Sequence, residues 1–397
     1  MATIREYLKN RQKEKQEEYQ QKISAHKRKV RLIVITVVVA AATVVIGFLI
    51  YWNNRSFSEY TVLSSRAMDG TTNSKYYKFG EGILVYTDDG MSYIEDNDII
   101  WNQAFEMKNP IVDICNETVA ICDKKNTTVY IYDLKGEIGK IDTVYPILDL
   151  NVSEQGVVAA ITRDSETDRI EVLDKEGNAI ATGQTYITGD GCPIDIDISN
   201  DGTKLIASYI YIEGNTAKSK VVFYNYSEVG KNEIGRIVGG FNHYGSTIVS
   251  RVEFLDNDTS VVFGEDIFTI YEIKQKPEKK AEVSIDKNIK SIFYDKEYIG
   301  MVLDSEDYEE PYIVKLYDTN GEECMSYTTD FAYTGISSGE KWFILYSETE
   351  CLLMTTSGKE RFKGNISEGI HAMICTEKSE IYYVINEEYD ILNIKMK

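Results

Sequence analysis

The sequence has few of the residues on which most enzyme sites depend. Histidine occurs three times in 397 residues, and neither a His-Glu-x-x-His nor a Cys-x-x-Cys spacing is present, so a zinc site would lack its usual ligands. No glycine-rich motif follows a strand and opens a helix, as phosphate or dinucleotide binding would require. The sequence therefore predicts no metal site and no cofactor.

Proline and helical periodicity are also scarce. The chain has five prolines, and no amphipathic helix longer than a few turns can be read after Trp52. Tyrosine occurs 29 times, and β-branched residues crowd the candidate strands. This composition favours an all-β domain.

One long apolar run is present, LIVITVVVAAATVVIGFLIYW, between Arg31 and Arg55. It extends from Leu32 to Trp52, and at about 1.5 Å per residue it makes a helix of roughly 31 Å, which matches the hydrocarbon thickness of a bilayer. A cleaved signal peptide is the alternative, but cleavage near Ala42 would leave ten apolar or small residues on the mature protein. We predict a transmembrane helix over 32–52 and a short linker over 53–59.

The charge of the first 31 residues predicts the orientation. They contain ten Lys/Arg and four Asp/Glu, a net charge of +6, and the positive-inside rule places this tail in the cytoplasm. The whole chain carries −21, so residues 32–397 carry −27 and are expected to be extracellular. Such an acidic domain repels phosphates, which disfavours a nucleic-acid partner. The sequence directly indicates one partner, the lipid bilayer, which residues 32–52 are expected to span.

Beyond the linker, short strands recur with a period near 43 residues and about four strands per unit, which is typical of propeller blades. Predicted first strands begin near Tyr76, Ile111, Ile147, Ile194, Ile248, Ile289, Thr334 and Ile370. Eight blades fit best, with seven as the alternative. The last unit has three strands, and we predict that YTVLSSR at 60–66 supplies the fourth, so that the propeller extends over 60–397 without an open sheet edge.

The repeat resembles the quinoprotein (PQQ-like) propeller repeat, and MSYIEDNDIIWNQAF at 91–105 is the best match. The tryptophan of that motif recurs only at Trp101, so neither its docking scheme nor the quinone cofactor is carried over. The layout of a basic tail, one span and an acidic propeller with MKNPIVDIC after its first blade is similar to a family of uncharacterised membrane-anchored propeller proteins of clostridial Gram-positive bacteria. That resemblance implies the propeller fold and a location at the cell membrane, and it implies no function.

Two patterns were weighed as reactive sites. Gly335 to Gly339 satisfies G-x-S-x-G around Ser337, with His371 downstream, but a strand follows where a nucleophile elbow requires a helix. We interpret it as a turn between the first two strands of a blade. Asp195 and Asp197 share one strand face, and further acids occupy 256–258 and 305–310. None has the spacing of a calcium loop, and we interpret these acids as solvated. No catalytic residue is predicted.

Six cysteines follow the apolar run, and fifteen pairings are possible. They are Cys115, Cys122, Cys192, Cys324, Cys351 and Cys375. If the first two lie on one hairpin, position 115 faces 118 and position 122 faces 111, so they are not opposed. Most of the six lie in apolar strand contexts, which favours buried free thiols.

Three classes of function remain. The sequence predicts a binding or scaffolding module at the cell envelope, with another envelope protein or a wall polymer as its partner. A sensor that couples an external ligand to the cytoplasmic tail is the first alternative. An enzyme with a site in the propeller channel is the second.

Overall fold

A computed structural model of the protein describes residues 2–53, 55–68, 70–71, 73–87, 89–165, 167–186, 189–378 and 380–397. The chain divides into two compact units, residues 1–56 and 57–397. The first unit is a single helix, α1 (Ala2–Asn53), which continues from the basic tail into the apolar run without a break.

Part of α1, Glu17–Phe48, is long and apolar enough to cross a membrane. The described side chains of this stretch are exposed, whereas the core helix of a soluble domain would bury them. A membrane anchor and a signal sequence both fit a helix of this length and composition.

The second unit is an eight-bladed β-propeller in which, among the described residues, every blade is a four-stranded antiparallel sheet. Blades 1 to 4 contain β2 (Lys75–Phe79), β3 (Gly82–Thr87), β4 (Gly90–Glu95) and β5 (Asp98–Ala104); β6 (Pro110–Cys115), β7 (Thr118–Asp123), β8 (Thr128–Asp133) and β9 (Gly136–Asp142); β10 (Ile147–Val152), β11 (Val158–Arg163), β12 (Thr167–Leu173) and β13 (Ala179–Tyr186); and β14 (Cys192–Ile198), β15 (Lys204–Glu213), β16 (Thr216–Asn225) and β17 (Ile237–Phe241). A short 3₁₀ turn, Ile234–Arg236, precedes β17.

The remaining blades continue the same order. Blades 5 to 8 contain β18 (Val249–Phe254), β19 (Thr259–Gly264), β20 (Ile267–Ile273) and β21 (Pro277–Ser284); β22 (Ile289–Asp295), β23 (Tyr298–Asp304), β24 (Tyr312–Asp318) and β25 (Glu323–Thr329); β26 (Gly335–Ser338), β27 (Trp342–Tyr346), β28 (Glu350–Thr355) and β29 (Glu360–Asn365); and β30 (Ala372–Cys375), β31 (Ile381–Ile385), β32 (Ile391–Met396) and β1 (Tyr60–Arg66). The first strand of each blade lies next to the axis, where it contacts the first strand of at least one adjacent blade.

Blade 8 joins the two ends of the domain. Strand β1 pairs antiparallel with β32, from Tyr60 opposite Met396 to Arg66 opposite Ile391, with a register shift between Val62 and Ser64. Before β1, the Phe57 N–H donates to the Arg361 carbonyl at 2.6 Å, and the Phe57 side chain is buried. This pairing covers the edge that β32 would otherwise expose.

Burial follows from the stacking of the blades. Second strands such as Thr118–Asp123 are buried on both faces because every blade lies between two others, whereas outer strands such as Ala179–Tyr186 alternate between exposed and half-buried residues. The core consequently forms clusters between neighbouring blades. One contact joins blades 1 and 2: the Trp101 indole stacks on Tyr132 at 5.2 Å and donates to the Asp133 carbonyl at 3.0 Å.

The predicted eight-bladed propeller is confirmed, and each predicted first strand begins within two residues of an observed one. The β6–β7 register places Cys122 opposite Ile111 and Cys115 opposite Thr118, as predicted. The six cysteines, all described, are free thiols. Cys122, Cys351 and Cys375 are buried, and Cys115 and Cys192 are half-buried. Cys324 is exposed because β25 is the outermost strand of its blade and has a solvent-facing side.

Candidate binding site in the central channel

The first strands surround a channel that contains a cavity of about 510 Å³. All eight blades contribute to its wall. One lining residue from each blade, in order, is Lys78, Asp113, Val152, Asp197, Arg251, Tyr294, Glu340 and Glu377. Seven carboxyl side chains and three cationic ones line this cavity, so its wall is acidic.

The acids of the wall are positioned by the backbone of the next blade. A first strand pairs with a neighbour on one edge only, so the amide groups of its other edge need partners. Asp113 accepts from the Val152 N–H at 2.7 Å. Asp195, which lies on the same first strand as the lining residue Asp197 but does not itself line the cavity, accepts from the Val252 N–H at 2.6 Å. Asp197 accepts from the N–H of Phe254. Each carboxylate therefore joins the first strands of two blades.

Burial changes how these acids titrate. It raises the pKa of Asp113 to about 7 and that of Asp195 to about 7, although the N–H groups of Val152 and Val252 act in the opposite direction. The pKa of Asp197 is raised well above its usual value by burial and then by the nearby Glu253. Several carboxyls of the wall thus hold their protons to unusually high pH.

Arg251 is the cation at the centre of this cluster. Its guanidinium forms an ion pair with Glu253, and the Tyr294 hydroxyl also bonds to Glu253. Burial alone would lower the pKa of Arg251, but Glu253, Tyr294 and Asp195 together raise it above its usual value. The Arg251 side chain remains 51% exposed and that of Glu253 only 12%. The guanidinium is therefore fixed by Glu253 while it stays in contact with the cavity.

The mouth of the channel is also acidic. A second cavity of about 490 Å³ shares Lys78, Ile114, Asn116 and Glu377 with the first. It lies at the turns between first and second strands, and in the described part of the chain each blade places an acid in that turn. These mouth acids are Glu81, Glu117, Glu154, Asp201, Asp256, Glu297, Glu340 and Glu377. Some are paired, as Glu377 is with Lys78 at 3.6 Å.

Chemically, this arrangement suits the binding of cationic groups and hydrogen-bond donors. Carboxyl oxygens held by backbone amides form a fixed acceptor surface, charged acids at the mouth attract cations, and the paired Arg251 limits the charge that accumulates. Over the described ranges, no group of three or more His, Cys, Asp or Glu side chains is arranged to hold a metal ion.

The two residues weighed as a hydrolase site have different partners. Ser337 is on β26, where its hydroxyl accepts from the Cys375 N–H at 2.9 Å. The chain then turns, with the Gly339 N–H bonded to the Trp342 carbonyl, and enters β27. Most of this motif is therefore strand β26 and not the turn we expected, with only Gly339 in the turn, but a strand follows it as the sequence predicts. His371 packs edge-on against Tyr389 at 4.8 Å between ring centroids.

Asp195 and Asp197 correct one expectation. The expectation that they are solvated is wrong, because each is only 9% exposed and accepts a hydrogen bond from the backbone of blade 5. The signal in the sequence is the pair of acids inside the otherwise apolar strand PIDIDIS, since a buried strand tolerates carboxylates only where they have partners. The acids at 256–258 and 305–310 do lie in turns and loops.

The predicted membrane boundary includes three residues of α1, namely Arg31, Leu32 and Trp52. Arg55 follows the helix. Their position at a bilayer surface stays a prediction.

Comparisons with known proteins identify a structure with a similar fold and a family to which the sequence matches. The chain is similar to the structure described as "The crystal structure of BamB from Moraxella catarrhalis", with a TM-score of 0.53 and 12% identity over 85% of this chain and 100% of that one. This likeness shows the fold alone. No curated protein matches the sequence. A sequence model described as "Family of unknown function (DUF5711)" matches residues 53–396.

Proposed function

The chain belongs to this family of unknown function, and we propose from its own residues that it is a binding or scaffolding module of the cell envelope. In this proposal α1 anchors the chain in the cell membrane, the basic tail lies in the cytoplasm, and the propeller is extracellular. The propeller binds an envelope protein or a wall polymer and performs no catalysis.

The anchor is supported by charge and exposure. The apolar side chains described over Glu17–Phe48 are exposed, and water would oppose that arrangement at about 25 cal/mol for every Å² of apolar surface. A bilayer removes this cost. The ten Lys/Arg of the tail would have to cross the membrane in the opposite orientation.

The observation that carries the binding proposal is the acidic channel mouth to which all eight blades contribute. Its acids sit on tight turns of a closed ring, so the surface is already ordered before a partner arrives. Such a surface suits a partner with several cationic groups, or a polymer that carries bound metal ions. Because attraction between exposed charges is screened over about 10 Å at 0.1 M salt and about 3 Å at 1 M, binding should decline with salt.

The test compares two faces of the propeller. Full-length protein is crosslinked in its native membrane and purified, and the partner captured with it is identified. The affinity of this partner for the purified chain is then measured by titration. A variant with Glu81→Gln, Glu117→Gln and Glu154→Gln removes three exposed mouth acids. Its matched control, with Glu348→Gln, Glu387→Gln and Glu388→Gln, removes three exposed acids from turns between second and third strands.

We expect the mouth variant to lose at least tenfold in affinity while the control keeps it, and we expect binding to weaken from 0.1 to 1 M salt. Equal affinities for both variants would refute the mouth as the binding surface. Release of the wild-type chain from membranes by alkaline carbonate would refute the anchor.

The sensor alternative has one observation in its favour, namely that α1 is unbroken from Ala2 to Asn53. A continuous helix transmits rotation or displacement better than a flexible joint. Replacement of residues 2–26 by an unrelated basic segment separates the two functions. If the protein is a scaffold, cells that carry this exchange keep the wild-type phenotype. If it is a sensor, those cells no longer respond to the external ligand.

A further inference from the structure

The circumference of the propeller consists of eight outer strands, and each pairs with a neighbour along one edge only. Charged side chains and proline usually protect such an edge, because its free amide and carbonyl groups can pair with another chain. Among the strands that the structure describes, six of the eight outer strands contain at least one charged residue, and β13 and β17 contain none. Strand β13 is the longer of these two, with eight residues against five.

The residues that follow β13 show which of its backbone groups face outward. The Tyr186 N–H donates to the Asp190 carboxylate at 3.1 Å, and the Tyr186 carbonyl accepts from the Gly189 N–H at 3.1 Å. The backbone of Tyr186 therefore faces away from β12. Along an antiparallel strand these groups alternate between the two edges, and the β12–β13 register is uninterrupted over 181–186. The backbone groups of Gln184 and Thr182 consequently face outward too.

These outward groups are available to a partner. Strand β13 is the last strand of its sheet, and within the described ranges no hydrogen bond reaches the backbone of Thr182 or Gln184 from the outer side. The side chains of both residues are exposed. One edge of blade 3 therefore offers two N–H and two carbonyl groups without a charged side chain between them.

A pocket of about 250 Å³ lies beside this edge, between blades 3 and 4. Residues 180–183 of β13 form one wall, and Tyr224, Tyr226 and Gly235 of blade 4 contribute to the other. Gly183 adds no side chain to the space, and a Cβ at this position would meet no atom within 4 Å. The pocket is therefore open at the strand. We name the free edge at Thr182 and Gln184, together with this pocket, the β13 groove.

The β13 groove is apolar and nearly neutral, although the domain is strongly acidic. Ile180 in its wall is 37% exposed, and Ile234, next to the lining residue Gly235, is 94% exposed. The two charged residues of the lining, Glu233 and Arg236, have opposite signs, and Glu233 also pairs with Lys276 at 3.6 Å. The groove therefore suits an uncharged segment.

We propose that the β13 groove binds an extended, uncharged segment of a partner protein, which adds a fifth strand to blade 3. The backbone of this segment bonds to the free groups of Thr182 and Gln184, and one of its apolar side chains enters the pocket. A second copy of the chain is a poorer occupant, because two strongly acidic propellers repel each other. The site lies on the circumference, so it is separate from the channel mouth and does not depend on it.

Peptide selection on the full-length protein tests this proposal. A phage library of random peptides is selected against the protein in detergent micelles, and the enriched peptides are synthesised and titrated. Gly183→Leu fills the pocket from β13, and Gln184→Pro removes an outward N–H. The matched control is Asn102→Pro on β5. Since the Phe105 N–H donates to the Asp89 carbonyl, alternation makes the Asn102 N–H face outward as well.

We expect the enriched peptides to share an apolar residue and to lose about tenfold or more in affinity for Gly183→Leu and for Gln184→Pro, but not for Asn102→Pro. Methylation of alternate peptide amides should weaken binding to a similar extent. Thermal melts show which variants fold, and Gly183→Leu and the methylated peptides test the site even if the proline variant does not. The Glu81→Gln, Glu117→Gln, Glu154→Gln variant should bind these peptides as the wild type does.

Three results would overturn the proposal. The first is that no peptide is enriched, and the second is that binding is unchanged by Gly183→Leu and by amide methylation. The third is a wild-type dimer that Gln184→Pro converts to a monomer, because a second copy would then occupy the edge. Each of these results leaves the proposed role of the channel mouth standing.

Discussion

Asp197 in blade 4 accepts the backbone N–H of Phe254 in blade 5 across 57 positions of sequence. The same carboxylate also accepts the N–H of its neighbour Ile198 at 2.8 Å. Two amide groups next to the channel thus depend on one buried side chain. This contact explains how acids stand in the wall of a propeller whose blades are otherwise held together by apolar packing.

Two substitutions of Asp197 distinguish the contribution of its hydrogen bonds to stability from the contribution of its charge. Asp197→Ala leaves the Phe254 N–H without its partner and should lower the free energy of unfolding by about 1 to 3 kcal/mol. Asp197→Asn keeps an acceptor oxygen and removes a charge close to Glu253, so its loss should be smaller. Thermal melts at pH 8 measure both. Equal losses for the two variants would show that the carboxylate does not cap blade 5.

The raised pKa values of the channel acids predict an unusual dependence of stability on pH. Asp113 and Asp195 hold protons up to about pH 7 in the folded protein and to about pH 3.8 when unfolded. Their contribution is therefore full below pH 3.8 and is lost as the pH rises through 7. Relative to the Asp113→Asn, Asp195→Asn variant, the wild type should melt at a progressively lower temperature from pH 5 to pH 8. A constant difference would contradict the raised pKa values.

Two tryptophans allow a comparison between an indole N–H that is hydrogen-bonded to the next blade and one that is not. The Trp101 indole N–H donates to the Asp133 carbonyl of the next blade, whereas the buried Trp342 indole N–H has no hydrogen-bond partner among the described residues. Trp101→Phe should cost about 1 kcal/mol more than Trp342→Phe, because the first loses a hydrogen bond and the second removes an unpaired donor. Denaturant titrations compare them. A larger loss for Trp342→Phe would contradict this assignment.

Ring closure predicts the effect of truncation. A fragment over 56–397 keeps β1, whereas one over 67–397 lacks it and exposes the edge of β32. The shorter fragment should melt lower and aggregate, since an open apolar strand edge pairs with other chains. Light scattering during a thermal melt follows both effects. Identical melting and scattering would mean that β1 does not hold the ring closed.

The blades could be predicted because each is a local unit. Strands of four to ten residues with tight turns repeat every 43 residues or so, and hairpin geometry alone placed Cys122 opposite Ile111. The interpretation of Ser337 rested on equally local information, namely that a strand and not a helix follows it.

The channel could not be predicted in the same way because its wall combines residues from all eight blades. Asp113, Asp197 and Glu253 lie in three different blades, and they line one cavity only after the ring closes. Nothing next to Asp195 and Asp197 in the sequence shows that their partners are the amides of Val252 and Phe254. Their burial was for that reason missed, although acids within an apolar strand were visible.

Photo-crosslinking from the channel mouth tests the central proposal most directly. A photoreactive amino acid replaces Gln155, an exposed residue beside the mouth acid Glu154, or Asn215, an exposed residue of the β15–β16 turn on the opposite face. Full-length protein is irradiated in intact cells, and the adducts are identified by mass spectrometry. We predict one envelope partner with a cationic segment, captured at position 155, absent at 215 and reduced by high salt. Adducts that are the same at both positions, or none at 155, would contradict the proposal that the propeller binds through its acidic channel mouth.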